Sequence, residues 1–279
     1  MPGLPREREA EMQHEGATRL ARPVVRSIFE ETPVRGKFKI GLADHREAQA
    51  ERAGERGETT RSINMTTPRS NQPGVEMIHL ESCLSEISNC HNALIKTPDY
   101  ERAIIDWARD QDISERLRGL VRDSRIRFHN MLRISVSGCP NGCSRPQIAD
   151  MGITGFVTPA FDPAGCASCG ACAETCPDEA IFYEGRLPWF DLRKCLGCKK
   201  CSFASPNDCI TLSEPRVRLT AGGRLGRRPR LAEVIGEAGS PREVVQLIDR
   251  IVGDYIDNAE PGERFADYWK RKGKERFNG

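Results

Sequence analysis

The sequence has no long apolar run and few aromatic side chains. Only 38% of its 279 residues are hydrophobic and 6% are aromatic. No stretch approaches the roughly 18 apolar residues of a membrane-spanning helix, so we expect no membrane span. The opening residues, MPGLPREREAEMQHEG, lack the apolar segment of a secretory signal. These absences predict a cytoplasmic protein whose core needs support beyond apolar burial, such as bound metal clusters.

A strong charge of one sign is missing as well. The 42 basic and 40 acidic residues leave a formal net charge of +2, which does not favour a nucleic-acid partner. The sequence also contains no phosphate-binding G-x-x-x-x-G-K-[ST] loop, no G-x-S-x-G elbow and no H-E-x-x-H zinc motif. The corresponding nucleotidase, hydrolase and metalloprotease chemistries are therefore not predicted.

Cysteine, in contrast, is abundant: there are twelve. In a reducing cytoplasm such a set is rarely disulfide-bonded. The run CASCGACAETCP over residues 166–177 fits the bacterial ferredoxin pattern C-x2-C-x2-C-x3-C-P. This tight spacing wraps a loop around one cubane, whereas zinc is usually held by paired C-x2-C knuckles from separate hairpins. The pattern predicts [4Fe–4S] clusters and favours an anaerobic or low-oxygen setting.

A second run begins 29 positions later, and it lacks the fourth cysteine. Ser205 occupies that position, and Cys209 follows four residues on. In two-cluster ferredoxins the fourth cysteine of each run ligates the other cluster. One complete set is therefore Cys176, Cys195, Cys198 and Cys201. The other set, Cys166, Cys169 and Cys172, takes Cys209, Ser205 or nothing as its fourth ligand. We favour Cys209, with a [3Fe–4S] cluster as the competing outcome.

The four remaining cysteines form two pairs, C-x6-C at Cys83 and Cys90 and C-x3-C at Cys139 and Cys143. The second pair lies in SGCPNGC, where Gly, Pro and Asn favour tight loops with free backbone N–H groups. Such groups donate hydrogen bonds to cluster sulfurs. Since twelve cysteines make three sets of four, these four are predicted to hold a third cluster.

Residues 137–153, SGCPNGCSRPQIADMGI, closely resemble the cluster motif of the sirohaem sulfite and nitrite reductases. In that family a C-x5-C pair and a C-x3-C pair hold one [4Fe–4S] cluster, and the last cysteine also bridges to the sirohaem iron. The resemblance implies that Cys83, Cys90, Cys139 and Cys143 are ligands, with Cys143 as the bridge. The first pair is one residue longer here than in the family pattern.

The resemblance extends over roughly residues 76–275. A ferredoxin insert follows the motif, as in the dissimilatory and anaerobic sulfite reductase subunits. The segment GGRLGRRPRLA at 222–232 resembles their Gly-rich basic segment, and PGERF at 261–265 resembles their tail. Those enzymes begin with a half-domain that supplies much of the sirohaem and substrate pocket, and residues 1–75 show no counterpart of it.

Basic side chains are required wherever sirohaem is held, because it carries eight carboxylates. The available candidates are Arg133, Arg145, Arg224, Arg227, Arg228 and Arg230. For the last four, a solvated basic loop is the alternative interpretation. His129 either faces a pocket or has a structural role.

The predicted fold is α+β, with a sirohaem-reductase-like cluster domain and an inserted bacterial-type 2[4Fe–4S] ferredoxin unit. Hydrophobic periodicity predicts strands at 75–80, 131–137 and 152–157 and helices at 100–121, 241–258 and 262–273. The predicted domains are a helical appendage and linker (1–75), a reductase-like 4Fe-4S domain (76–158), the ferredoxin insert (159–213) and a basic Gly-rich segment with C-terminal helices that complete the reductase-like domain (214–279).

Two functions compete most closely. The first is a sulfite- or nitrite-reductase-like oxidoreductase that passes electrons from ferredoxin clusters to a [4Fe–4S]–sirohaem centre and reduces a small oxyanion. The second is a non-catalytic electron-transfer subunit without sirohaem, and a structural or sensing iron–sulfur protein is a third possibility. Each predicts an electron-donor protein or partner redox subunit, and the chain is a candidate for oligomerisation.

Overall fold

The computed structural model describes residues 69–85, 88–273 and 277. The chain divides into two units, 1–61 and 62–279, and every described residue belongs to the second. Apart from residues 69–75, the predicted helical appendage lies outside the described residues. None of the described helices is long and apolar enough to cross a membrane.

The described residues form a mixed α/β structure. Its strands are β1 Arg69–Ser70, β2 Ile78–Ser82, β3 Arg125–Ile126, β4 Leu132–Ser137, β5 Met151–Phe156, β6 Pro159–Phe161, β7 Ile181–Glu184, β8 Leu187–Phe190, β9 Ile210–Leu212, β10 Arg216–Ala221 and β11 Glu233–Ala238. Its α-helices are α1 Thr97–Asp110, α2 Ile113–Arg118, α3 Ala171–Glu174, α4 Lys200–Ala204, α5 Pro241–Asn258 and α6 Phe265–Lys272. Short 3-10 turns lie at Phe128–Asn130, Pro146–Ile148 and Pro163–Gly165.

The main sheet has the strand order β11-β10-β5-β4-β2. Strands β2, β4 and β5 are parallel, whereas β10 pairs antiparallel with both β5 and β11. Because β2 and β4 run in the same direction, the loops that follow them leave from one edge of the sheet. That edge receives Cys83 and Cys139.

The two faces of this sheet differ in chemistry because successive side chains in a strand point to opposite sides. On β4, Leu132, Ile134 and Val136 are buried in the apolar core. The same core includes Ile104 and Trp107 of α1 and buried residues of α5 and α6. The other face of β4 carries Arg133, Ser135 and Ser137, so the polar loops of the site lie on this side.

The predicted helix over 100–121 is divided into α1 and α2. Tyr100, Ile104 and Trp107 bury one face of α1, while Ile113 and Leu117 bury one face of α2. Ile113 does not continue the helical spacing of the first three, so an unbroken helix would turn it away from the core. Asp112 adopts a left-handed backbone conformation (φ 49°) between the two helices, which brings Ile113 inward.

Residues 157–215 leave the main sheet between β5 and β10, and those two strands are neighbours in it. This segment forms two small antiparallel sheets, β6 with β9 and β7 with β8, together with α3 and α4. Its small core contains Cys172, Cys201, Cys209, Ile181 and Ile210. The segment is therefore an insertion into the sheet, with its own core.

Candidate iron–sulfur centres

The first cysteine set gathers at the edge where β2 and β4 end. The backbone N–H of Gly138 donates to the Cys83 Sγ at 3.1 Å. The Leu94 N–H donates to the Gly138 carbonyl at 2.8 Å, which holds the loop after Cys90 against the same glycine. Two loops that are far apart in sequence thus meet here.

The electrostatic surroundings of the Cys139 thiol agree with this meeting of the two loops. Burial raises the pKa of the Cys139 thiol, the nearby thiols of Cys143, Cys90 and Cys83 raise this pKa further, and a backbone hydrogen bond from Asn141 opposes them. Cys143 itself is exposed, and the Asn141 side-chain amide donates to its Sγ at 3.0 Å. The structure therefore brings together the four cysteines predicted to hold the third cluster.

The loop after Cys143 folds back over the polar face of the sheet. The Ser144 hydroxyl donates to the Val136 carbonyl at 2.8 Å, and the Ser135 hydroxyl donates to the Ser144 carbonyl at 2.6 Å. These bonds satisfy buried polar groups and fix the loop in place. Cys143 directly precedes Ser144 and is therefore held on the solvent-exposed side of this face.

In the insert, Cys176 lies with the second cysteine run. Burial raises the pKa of the Cys201 thiol to about 11, and the neighbouring thiols of Cys195, Cys198 and Cys176 contribute. The pKa of Cys195 is raised by burial and, to a smaller extent, by Cys198 and Cys176. This is the grouping that the ferredoxin pairing rule predicts. We call Cys176, Cys195, Cys198 and Cys201 the inner set.

Cys209 lies beside the first run. Its backbone carbonyl accepts a hydrogen bond from Asp162 at 2.9 Å, and a Cβ placed on Gly165 would lie 3.2 Å from the Cys209 Cβ. Gly165 directly precedes Cys166, so Cys209 lies next to the first cysteine run. That run offers only three ligands to its predicted cluster. We call Cys166, Cys169, Cys172 and Cys209 the outer set.

All twelve cysteines are free thiols. In the described part of the chain, no group of three or more His, Cys, Asp or Glu side chains converges closely enough to hold a single metal ion. A cubane cluster is several ångströms across and spreads its four thiolates around it. Backbone amides that point at the thiols, such as Gly138 N–H at Cys83, fit thiolates that carry negative charge on a cluster.

The inner set is the one next to the main sheet. The Val157 N–H, just after β5, donates to the Gly197 carbonyl at 3.1 Å. The Lys199 ammonium donates to the Ala93 carbonyl at 3.2 Å. The loop of the second run therefore touches both the end of β5 and the loop that follows Cys90.

A cavity of about 760 Å³ lies elsewhere, near the beginning of β4. Of the six arginines predicted from the resemblance, it is lined by Arg133, Arg224, Arg227 and Arg228. The predicted His129 also lines the cavity, as does Arg264. Arg264 is not among the arginines predicted from the sequence, although it lies in the PGERF segment that resembles the family's tail.

Two of these arginines are engaged with carboxylates. Arg133 forms an ion pair with Asp150, with Nε 3.1 Å from Oδ2, and its backbone N–H donates to the same oxygen at 2.9 Å. Arg224 pairs with Asp267. Burial raises the pKa of Asp150, while Arg133 opposes that rise. Arg227 and Arg228 are exposed.

The other predicted residues do not line this cavity. Arg145 pairs with Glu81 at 3.1 Å on the polar face of the sheet. Arg230 donates to the Gly222 carbonyl at 3.0 Å and to the Ala266 carbonyl. Neither Cys139 nor Cys143 is a lining residue, because they follow the opposite end of β4. The cavity offers charge that fits a polycarboxylate, but it does not include the thiol predicted to bridge.

Residues 89–278 match the family described as the nitrite and sulphite reductase 4Fe-4S domain. The chain is 33% identical over 191 residues to the coenzyme F420-dependent sulfite reductase of Methanocaldococcus jannaschii, which covers 68% of this chain and 28% of that protein. It is 38% identical over 69 residues to a subunit of the anaerobic sulfite reductase of Salmonella typhimurium, covering 25% of this chain and 19% of that protein.

Among solved structures, a dissimilatory sulfite reductase I is 17% identical, with a TM-score of 0.48, and the match covers 72% of this chain and 51% of the other. The chain spans less than a third of the length of the two reductase relatives described above, from Methanocaldococcus jannaschii and Salmonella typhimurium.

Proposed function

The chain belongs to the nitrite and sulphite reductase 4Fe-4S domain family, and we propose that it passes electrons through three iron–sulfur clusters to a sirohaem that reduces sulfite or nitrite. The observation that carries this proposal is the grouping of the cysteines. The Gly138 N–H, next to Cys139, lies 3.1 Å from the Cys83 Sγ, and the loop after Cys90 is hydrogen-bonded to the same Gly138. Cys83, Cys90, Cys139 and Cys143 are the four cysteines that the family resemblance names. The proposal gives each of the three cysteine sets one [4Fe–4S] cluster.

In the proposed route, electrons enter at the outer set, pass to the inner set, and then reach the cluster of Cys83, Cys90, Cys139 and Cys143. The contacts of Gly197 with Val157 and of Lys199 with Ala93 support this order, because they bring the inner set nearest to the main sheet. The chain itself contributes the spacing of the clusters and the hydrogen bonds to their sulfurs.

Sirohaem would be bonded through Cys143, which is exposed. Bound sirohaem would supply the iron at which the oxyanion is reduced. The Asn141 amide, 3.0 Å from Cys143 Sγ, would orient that thiolate and stabilise its negative charge. Arg145, which follows Cys143 by two residues and lies on the same polar face of the sheet, is the candidate to meet a sirohaem carboxylate, whereas Arg227 and Arg228 line the cavity at the other end of β4.

A partner protein would complete the pocket. This part of the proposal is supported by the exposure of Cys143. The Salmonella typhimurium relative, as its name says, is one subunit of an anaerobic sulfite reductase. The same partner or a separate redox protein would donate the electrons.

The test is anaerobic purification followed by iron determination, visible and EPR spectroscopy, and extraction of tetrapyrrole. We expect about twelve cluster irons per chain, sirohaem near one per chain, and consumption of sulfite or nitrite with a reduced viologen. Full cluster content without extractable tetrapyrrole, even after reconstitution with sirohaem, would contradict the catalytic proposal and indicate an electron-transfer subunit.

Two exposed cysteines provide a matched pair of variants. Cys143→Ser should lose sirohaem and turnover, because it removes the proposed bridge. Cys169→Ser should disturb only the outer cluster and keep the sirohaem absorption. Equal loss of sirohaem in both variants would contradict the assignment of Cys143.

A further inference from the structure

Two hydroxyl groups contact the sulfurs of the outer set. The Tyr183 hydroxyl lies 3.6 Å from the Cys172 Sγ, and it accepts the Gly170 N–H at 3.1 Å. The Gly170 amide uses one acceptor site on the Tyr183 oxygen, and the proton of the Tyr183 hydroxyl is left available for donation. When Cys172 is a thiolate it has no proton to give, so the tyrosine must be the donor.

Ser205 makes the second contact. Its Oγ lies 3.1 Å from the Cys209 Sγ. Ser205 stands where the fourth cysteine of the second run would be, and Cys209 stands four residues later. The replacement therefore removes one thiol from the pattern and places a hydroxyl against Cys209. When Cys209 is a thiolate, the Ser205 hydroxyl is the donor of this contact.

The inner set has a different environment in the described residues. Its sulfur contacts come from the backbone: the Ala180 N–H donates to Cys176 Sγ at 3.3 Å, and backbone hydrogen bonds from Gly197 and Ser202 reach Cys195 and Cys201. Side-chain hydroxyls on sulfur are thus confined to the outer set within the insert.

Charge also distinguishes the two halves of the insert. Residues 159–184, which contain the first run, carry five acidic residues and no Lys or Arg. Residues 185–212 carry five Lys or Arg and two Asp. Three of the four outer-set cysteines lie in this acidic segment, and carboxylates near a cluster disfavour the extra negative charge of its reduced form.

We propose that the hydroxyls of Tyr183 and Ser205 raise the reduction potential of the outer cluster and so oppose the effect of the acidic residues in that segment. A hydrogen bond to a ligand sulfur stabilises the reduced cluster more than the oxidised one, because the reduced cluster carries more negative charge. The two hydroxyls keep the outer cluster reducible by a one-electron donor protein. This inference rests on the proposed function, since it needs a cluster in the outer set.

The test is an EPR-monitored redox titration of the purified full chain and of two variants, Tyr183→Phe and Ser205→Ala. Each variant removes one hydroxyl, and Tyr183→Phe also leaves the Gly170 N–H without its acceptor. We expect the midpoint potential of one cluster to fall in each variant, by about tenfold in the reduction equilibrium, or about 59 mV for a one-electron couple. The other two clusters should keep their potentials.

Ser202→Ala is the matched control, because the Ser202 hydroxyl donates to the Ile210 carbonyl at 2.9 Å rather than to a sulfur. It should leave all potentials unchanged. Ser205→Thr retains a hydroxyl and should restore the potential that Ser205→Ala lowers. High salt should raise the potential of the outer cluster in every variant by screening the carboxylates, without removing the difference between variants.

Two results would overturn the inference, and they are distinguishable. If iron content and EPR show three clusters while Tyr183→Phe and Ser205→Ala leave every potential unchanged, the hydroxyls do not set the potential and the cluster assignment stands. If the unmodified chain has no cluster in the outer set, measured as about four fewer irons, the proposed function fails there and the inference fails with it.

Discussion

Asp150 is buried at the beginning of β5, where its carboxylate meets Arg133. Such a pair is costly to break, because removing one partner leaves an uncompensated charge in a low-dielectric environment. The same arginine also donates to the Gly223 carbonyl at 3.3 Å, so it ties β4, β5 and the basic loop together. A structural role therefore accounts for Arg133 without any ligand.

Arg133→Gln should lower the free energy of unfolding at neutral pH by about 3 kcal/mol. Burial raises the folded-state pKa of Asp150 above its ordinary value, so its contribution to stability is largest below the unfolded pKa and is lost as the pH rises through the folded pKa. Removing Arg133 raises that pKa further. The stability gap between the variant and the original chain should therefore narrow as the pH falls from neutrality through the folded-state pKa of the variant.

Urea unfolding at several pH values measures this gap. The double variant Arg133→Gln/Asp150→Asn serves as the control, since it contains neither charge and should show little of the pH dependence. A gap that stays constant over the range would contradict the role assigned to Asp150.

Gly222 begins the basic loop with a left-handed backbone (φ 82°), and a Cβ there would lie 2.1 Å from the Trp269 Cδ1. Gly222→Ala should therefore cost about 2–4 kcal/mol of stability, through overpacking against a buried ring and backbone strain. Gly253→Ala is the control, because Gly253 lies inside α5 with open space around its Cα and should gain about 0.5–1 kcal/mol. Thermal unfolding of both variants tests the contrast.

At the scale of single elements, α5 shows how local chemistry fixes a helix. The Ser240 Oγ accepts the Glu243 N–H at 3.3 Å, and the Glu243 carboxylate accepts the Gly239 N–H at 2.8 Å. Ser, Pro and Glu at these positions are readable in the sequence. For this reason the predicted helix over 241–258 agrees with Pro241–Asn258 in the structure.

Ser240→Ala should destabilise the protein by about 1 kcal/mol, because it leaves an N-terminal amide of α5 without its acceptor. Ser240→Asp keeps an acceptor and should cost much less. Denaturant unfolding distinguishes the two variants, and equal stability losses would contradict the cap.

Other elements were predicted only in part. The alternation of Leu132, Ile134 and Val136 identified β4, but the strand predicted at 75–80 is shifted to Ile78–Ser82. Strand β10 was not predicted, although its buried Val217, Leu219 and Ala221 alternate with polar residues. Its basic residues are typical of a solvated loop, and its pairing with β5 is a long-range contact that local patterns do not encode.

At the scale of the whole molecule, spacing within a short motif assigns the cysteines to sets, but it does not say where arginines from separate elements will meet. Each cysteine run fixes its own loop, so Cys176 could be assigned beside Cys195 from sequence. The arginines lie on separate elements, and only the fold brings Arg133 and Arg227 to one cavity while it directs Arg145 to Glu81. Cluster ligation and sirohaem contacts stay predictions that spectroscopy can test.

Replacing residues 157–215 by a short Gly-containing turn should leave the main sheet intact, because Phe156 and Arg216 are register partners of adjacent antiparallel strands. The shortened chain should bind about four irons and should show cooperative unfolding. Iron determination and circular dichroism measure both. Loss of the remaining cluster would show that the insert is needed to close its site, through contacts such as Lys199 with Ala93.

The insert leaves the main sheet after β5 and returns at the neighbouring β10. Its two connections therefore lie close together and can act as a hinge. Both chain crossings lie at one side of the insert, so a tilt of the insert would move its far side most and the region next to Val157 and Gly197 least. Electron tunnelling depends steeply on distance. In the proposed electron route, the transfer out of the inner set would therefore be insulated from such tilting, and a partner that pushes on the outer set would change the first transfer before it changed the last.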